Sequence, residues 1–165
     1  MDRRVITLIG AAALLVVVVV VVVLARGGGD ESSTSGSEAV AETPEKPSVE
    51  VPEGDPPKEL QVEDLEEGEG DEVKEGDTVS VHYVGVDFKS GEEFDNSYDR
   101  GQPFTFQVGQ GQVIQGWEEG LIGMKVGGRR QLVIPPKMAY GKRGAPPAIG
   151  RNATLVFVVD LISID

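Results

Sequence analysis

The sequence predicts an α+β domain, a mostly antiparallel β-sheet carrying one short α-helix, preceded by a single transmembrane helix and a disordered linker. Three observations predict it. From about Lys58 onward, short apolar runs alternate and are separated by glycine-containing turns; Gln112 to Ile122 has helical spacing instead; and an uncharged apolar run stands near the N-terminus. A chain of 165 residues has room for one ordinary domain plus accessories, and an apolar share of 39% is enough for one core.

Val5 to Leu24 is uncharged, interrupted only by Thr7 and Gly10, and has the length of about twenty residues that a helix needs to cross a bilayer. Arg3 and Arg4 precede it and an acidic tract follows Arg26, so the positive-inside rule places residues 1–4 in the cytoplasm, a membrane anchor at 5–25 and the rest outside the cell membrane. The alternative is a signal peptide, cleaved to leave a secreted protein; the apolar run is longer than the usual signal core of roughly 7 to 15 residues, which favours the anchor. Residues 26–57 are rich in Gly, Ser, Pro and Glu and lack periodicity, so they are expected to form a flexible, disordered tether. The folded domain is expected at 58–165.

Within the domain, Val79, Val81 and Tyr83 share one face of a strand at Thr78 to Val86, and Lys89-Ser90-Gly91 is a hairpin turn before Phe94. Further strands are expected at Phe104 to Val108, Arg129 to Ile134 and Thr154 to Ile164, the last with Leu155, Phe157, Val159 and Leu161 on one face. Val113, Trp117 and Leu121 make an amphipathic helix despite Gly116 and Gly120.

Elimination narrows the chemistry. A net charge of -13 argues against nucleic-acid partners. With one histidine and no cysteine there is no disulfide, thiolate nucleophile or zinc site, and no calcium-loop spacing is present, so neither metal nor cofactor is expected. His82 lies on a strand opposite Tyr83 and no serine or carboxylate pattern completes a triad around it, so it is read as structural. Gly109-Gln110-Gly111 lacks the third glycine of a dinucleotide fingerprint, and Gly141-Lys142-Arg143 lacks the Ser or Thr of a phosphate loop.

Five segments occur in order: Val81-His82-Tyr83-Val84-Gly85, Phe94-Asp95-Asn96-Ser97, Val113-Ile114-Gln115-Gly116-Trp117-Glu118-Glu119-Gly120, Met138-Ala139-Tyr140-Gly141 and Asn152-Ala153-Thr154-Leu155-Val156-Phe157. Together they resemble the FK506-binding-protein (FKBP) family of peptidyl-prolyl cis/trans isomerases, from about Leu60 to the C-terminus. The resemblance implies a twisted antiparallel sheet curved around the helix, with an active pocket between them. It implies catalytic roles for Tyr83, Phe94, Asp95, Tyr140 and Phe157, and substrate-binding roles for Arg100, Phe104, Val113, Ile114, Trp117 and Ile149. Trp117 would be the pocket floor, Tyr140 a donor to a substrate carbonyl, and Arg100 the partner that orients Asp95. Phe106 is read as core.

The implied partners are proline-containing polypeptides and FK506- or rapamycin-like macrolides, with the domain acting as a monomer. The second reading is a low-activity peptide-binding or chaperone module on the same fold, against which stands the absence of an inserted flap before Tyr140. Three departures from the family are visible. Gly150-Arg151 stands where Pro-Pro is common, implying a looser rim, and Ala145 and Ala148 stand where bulkier residues occur, implying a pocket more open on that side. The hairpin at Asp87 to Gly91 also looks slightly lengthened.

Overall fold

The computed structural model describes residues 44–165; the segments read as cytoplasmic N-terminus and anchor lie outside the described residues, as does the first part of the tether. Among the described residues no helix is long and apolar enough to cross a membrane. The strands are β1 (Gln61–Glu66), β2 (Thr78–Asp87), β3 (Glu93–Asn96), β4 (Phe104–Gln107), β5 (Arg129–Ile134) and β6 (Leu155–Ile164), with one α-helix, α1 (Gln115–Gly120), and a 3-10 turn at Pro136–Met138. They form one six-stranded sheet in the order β1-β5-β6-β2-β3, with β4 also on β2. Every pairing is antiparallel.

The two long strands β2 and β6 make the centre because both alternate β-branched and aromatic residues along their whole length. Their inward residues, Val79, Val81 and Tyr83 against Leu155, Phe157, Val159 and Leu161, join Trp117 and Leu121 of the helical segment in the main core. On the outer face Val84, Val86, Val133 and Val156 form a second, smaller cluster with Phe88. That face is not left to water. Val49, Val51 and Tyr98 pack over it, Lys46 donates to Glu93 and Asp99 at 3.1 and 3.2 Å, and Arg129 donates to the Glu45 carbonyl at 3.0 Å. Residues 44–57, expected as free tether, carry no helix or strand, yet Glu45, Lys46, Val49 and Val51 among them contact the sheet. Val49 and Val51 are too sparse to signal order by themselves, and they gain it only from the apolar surface beneath them.

The helix packs closely because of its glycines. A Cβ at Gly116 would sit 2.4 Å from Ile134 Cγ2, and one at Gly120 2.8 Å from Leu132 Cδ2, so both positions let the helix backbone approach β5. Arg130, buried on β5, holds the far end. Its Nη1 donates to the carbonyls of Gly120 and Ile122 at 2.9 and 3.0 Å, and its other nitrogens donate to both carboxylate oxygens of Asp64 on β1 at 2.6 and 3.0 Å. A cation there also faces the negative end of the helix dipole.

β3 and β4 share one edge of β2. β4 pairs with Thr78 to Val81 and β3 with Val84 to Val86, leaving a split at His82 and Tyr83. Ser97 fills the vacated hydrogen bonds: its N–H donates to the Tyr83 carbonyl at 3.0 Å and its hydroxyl accepts from the Tyr83 N–H at 2.8 Å. The split gives the Tyr83 side chain an open place on the inner face, beside the helix.

Candidate active site

Between the helix and the inner face of the sheet, at this split, lies a cavity of about 170 Å³. Trp117, 4% exposed, is at its floor. Tyr83, Phe94, Phe104 and Phe157 surround it, each ring meeting a neighbour edge to face: Tyr83 to Trp117 at 5.1 Å between centroids, Trp117 to Phe157 at 5.3 Å, Phe94 to Phe157 at 5.5 Å and Phe104 to Trp117 at 6.2 Å. Such pairs satisfy the ring quadrupoles and fix one another's orientation. Val113, Ile114 and Tyr140 complete the apolar wall. The Trp117 indole N–H is the one buried side-chain polar atom among the described residues without a hydrogen-bond partner.

The cavity has one polar edge. Arg100 donates to Asp95 Oδ1 at 2.6 Å and to the Tyr83 hydroxyl at 2.7 Å, and that hydroxyl donates to Asp95 Oδ2 at 2.5 Å, closing a triangle. The guanidinium also lies 5.6 Å from the centre of the Tyr83 ring. Burial, and then the bond to Asp95, push the Tyr83 phenol up to about 12, with Arg100 opposing. Burial likewise raises Tyr140, aided by the charge on Asp95. Both phenols therefore stay neutral donors across ordinary pH. The exposed ion pair contributes little to stability by itself; its consequence is that Tyr83 and Asp95 cannot rotate away from the cavity.

Gly85 makes room for the aromatic pair behind this edge. A Cβ there would lie 2.6 Å from Phe157 Cε1 and 2.7 Å from Phe94 Cζ. The loop before the helix is fixed by Glu118, whose carboxylate accepts from the N–H groups of Gly109 and Gly111. This places Val113 and Ile114 at the mouth.

Of the residues singled out in the sequence, Tyr83, Phe94, Asp95, Phe104, Val113, Ile114, Trp117, Tyr140 and Phe157 meet around the cavity, with Arg100 one hydrogen bond behind. Ile149 does not. It is buried in the same core cluster as Tyr83, Trp117 and Phe157, is paired with Ala145 through two backbone hydrogen bonds of 2.9 and 3.0 Å, and is not among the residues lining the cavity. Those bonds pair the two ends of the 145–149 segment, and none of Ala145, Ala148, Gly150 and Arg151 lines the cavity. Gln112 lines the cavity and was missed; its signal is its place directly before Val113 in the mouth segment. Phe106 is core, 3% exposed, stacked on Phe104 at 5.5 Å. His82 is buried on the opposite face, its Nδ1 bonded to Ser97 Oγ at 2.9 Å and its ring stacked on Tyr98 at 4.7 Å.

Residues 70–162 match the family described as FKBP-type peptidyl-prolyl cis-trans isomerase. The chain belongs to the FKBP family. It is 55% identical over 121 residues to an FK506-binding protein of Streptomyces anulatus, covering 73% of this chain and 98% of that protein. It is 57% identical over 120 residues to a probable FK506-binding protein of Corynebacterium glutamicum, covering 72% and 98%. Among solved structures it is similar to the crystal structure of AtFKBP13, with a TM-score of 0.60 and 38% identity, over 64% of this chain and 93% of that one. This FKBP-family chain is thus a peptidyl-prolyl cis-trans isomerase, and the aromatic cavity lies within its matched region.

Proposed function

We propose that the aromatic cavity is the proline site and that the enzyme accelerates X-Pro rotation in extracytoplasmic polypeptides, where the uncatalysed step takes tens to hundreds of seconds. The observation that carries this reading is the convergence of six aromatic rings on a cavity of about 170 Å³ with one polar edge. Rotation of the prolyl amide must overcome a barrier of about 18–20 kcal/mol that arises from amide resonance. At the twisted midpoint the amide has lost much of its charge separation, so water stabilises it less than the planar form, and an apolar enclosure reverses that preference. This is differential binding of the transition state. The rings grip the proline, the Tyr140 hydroxyl and the Ile114 N–H donate to substrate carbonyls on either side, and the Arg100–Asp95–Tyr83 triangle fixes the edge past which the carbonyl turns.

The extracytoplasmic site of action rests on the Val5 to Leu24 run and its flanking charges. Two experiments test the proposal. An FK506-like macrolide should abolish isomerisation of an X-Pro peptide by the full-length chain at one equivalent, because it competes for the cavity; full activity with the macrolide bound would place the chemistry elsewhere. Protease added outside intact cells should remove the domain from membrane-associated chain of uncleaved mass. A domain protected until the membrane is broken would overturn the orientation, and mature chain beginning near Arg26 would replace the anchor by a signal. Binding of macrolide with isomerisation no faster than the uncatalysed rate would favour the peptide-binding module.

A further inference from the structure

A larger cleft, about 1000 Å³, is lined in part by residues that adjoin those of the isomerase cavity in the chain, and it takes no part in the chemistry above. Pro56, Pro57, Pro135 and Pro136 form its apolar walls, and Lys58, Lys89, Lys137, Lys142 and Arg151 reach it from four separate segments. In a chain of net charge -13 this concentration of cations is against the average. Elsewhere the described cations are largely neutralised: Lys46, Arg100, Lys125, Arg129 and Arg130 each have a carboxylate within salt-bridge distance. Among the described residues without one, only Lys74 and Arg143 lie outside the cleft lining. The single carboxylate in the lining, Asp87, is engaged locally, its Oδ1 accepting from the N–H groups of Lys89 and Ser90 at 2.9 and 3.0 Å.

We infer that this cleft is a second subsite of the enzyme, which receives an acidic, extended stretch of the same polypeptide whose proline occupies the cavity. The inference rests on the cavity being the proline site. The two are joined through the chain: Tyr140 lines the cavity while Gly141 and Lys142 line the cleft, and Thr154 lines the cleft while Phe157 lines the cavity. A strand of substrate crossing the Tyr140–Gly141 turn passes from one to the other. The volume, at the upper end of drug-sized pockets of about 300–1000 Å³, suits several residues rather than one small anion. Flexible lysines are point charges that accept carboxylates at variable positions, unlike a fork of arginines set for one phosphate. A concave site also cannot lie flush on a bilayer, and the surrounding negative charge repels both anionic membranes and nucleic acid. For an acidic peptide the cleft concentrates attraction where the rest of the surface repels, which gives selectivity for acidic segments at one spacing from the proline.

The test uses the full-length chain in non-ionic detergent and a triple variant, Lys58→Gln, Lys89→Gln and Lys137→Gln, whose positions do not line the cavity. Paired X-Pro peptides carry a run of either glutamates or glutamines separated from the proline by a short Gly-Ser spacer. The glutamate peptide should show a kcat/KM about threefold or more above its partner at low salt, and the advantage should vanish in about 0.5 M salt and in the triple variant, because exposed charges are screened beyond a few Å there. The glutamine peptide should be turned over equally by both proteins. Equal kcat/KM for the two peptides on the unmodified chain, or an advantage that persists in the triple variant, overturns the subsite. A labelled glutamate peptide without proline provides a readout independent of catalysis. Its binding by anisotropy should weaken about tenfold in the triple variant even if the isomerase reading fails; unchanged binding overturns the proposal, as does tighter binding to anionic phosphatidylglycerol vesicles than to the peptide.

Discussion

Replacing Gly116 by alanine tests how the helix delivers Trp117 to the cavity. The new Cβ would stand 2.4, 2.7 and 2.9 Å from three carbons of Ile134, against ordinary carbon contacts of about 3.5–4.0 Å, so roughly 1 Å of movement is required. Ile134 cannot supply it cheaply, being fully buried and stiff at χ1. The helix must therefore move off β5, against the grip of Arg130 on its C-terminal carbonyls. Overpacking of this kind costs about 1–3 kcal/mol. Alanine is the better helix former by about 1 kcal/mol, which offsets part of it. The expected net loss is about 1 kcal/mol, within a range of about 0–2, a fall in melting temperature on the order of 5 °C for a domain of this size. The assay is a thermal melt by circular dichroism, with Trp117 fluorescence as a local reporter, since it is the one tryptophan of the chain. Gly150→Ala is the control: nothing lies within 4 Å of its would-be Cβ, so its melt should be unchanged or slightly raised. A Gly116→Ala protein that melts at or above the unmodified chain, with unshifted tryptophan emission, would refute the packing argument.

Gly85→Ala should push Phe94 and Phe157 into the cavity and lower kcat/KM for an X-Pro peptide by about tenfold while the fold persists; an unchanged value would mean that the ring positions are not critical. Between pH 6 and 9 kcat/KM should stay constant within about twofold, because no histidine lines the cavity and both Tyr83, pushed up to about 12, and the raised Tyr140 remain protonated. A bell-shaped profile in that range contradicts it. Stability has a different dependence. Burial lowers the affinity of folded His82 for a proton, so the unfolded chain binds that proton more readily; stability is full above about pH 6.5 and falls as pH drops below it. Urea midpoints measured from pH 7.5 down to 5.5 should decline less steeply in a His82→Gln variant, and parallel curves would count against this assignment.

Strands with one buried and one outer face were legible in the sequence. Thr78 to Val86 and Arg129 to Ile134 carry their own alternation or apolar run, and the observed strands fall there within a residue or two. β1 was not, because every residue of Gln61–Glu66 is exposed and its role is to pair with β5 and hold Arg130 through Asp64. An edge strand of that kind has no buried face to leave a pattern. The same limit explains the tether. Val49 and Val51 become ordered only against Val84, Val86 and Phe88, residues distant in sequence. In the site, the aromatic residues were legible through their linear motifs, but the spaces between them were not. Gly85 and Gly116 matter for what their missing Cβ would strike, and that depends on Phe157 and Ile134, which folding alone brings near. Where Ile149 sits was likewise not legible, because it depends on the backbone pairing of Ala145 with Ile149 and on packing in the core.

The most direct test of the account is the cis-to-trans relaxation of an X-Pro peptide with the full-length chain and a Phe94→Ala variant, chelator present throughout. Phe94 is half-buried, so the variant should keep its circular dichroism spectrum, while losing the ring that packs edge to face on Phe157. The account predicts clear acceleration by the unmodified chain, undiminished by chelator, and a fall of about tenfold or more in kcat/KM for the folded variant. Equal acceleration by both proteins would contradict catalysis in the aromatic cavity.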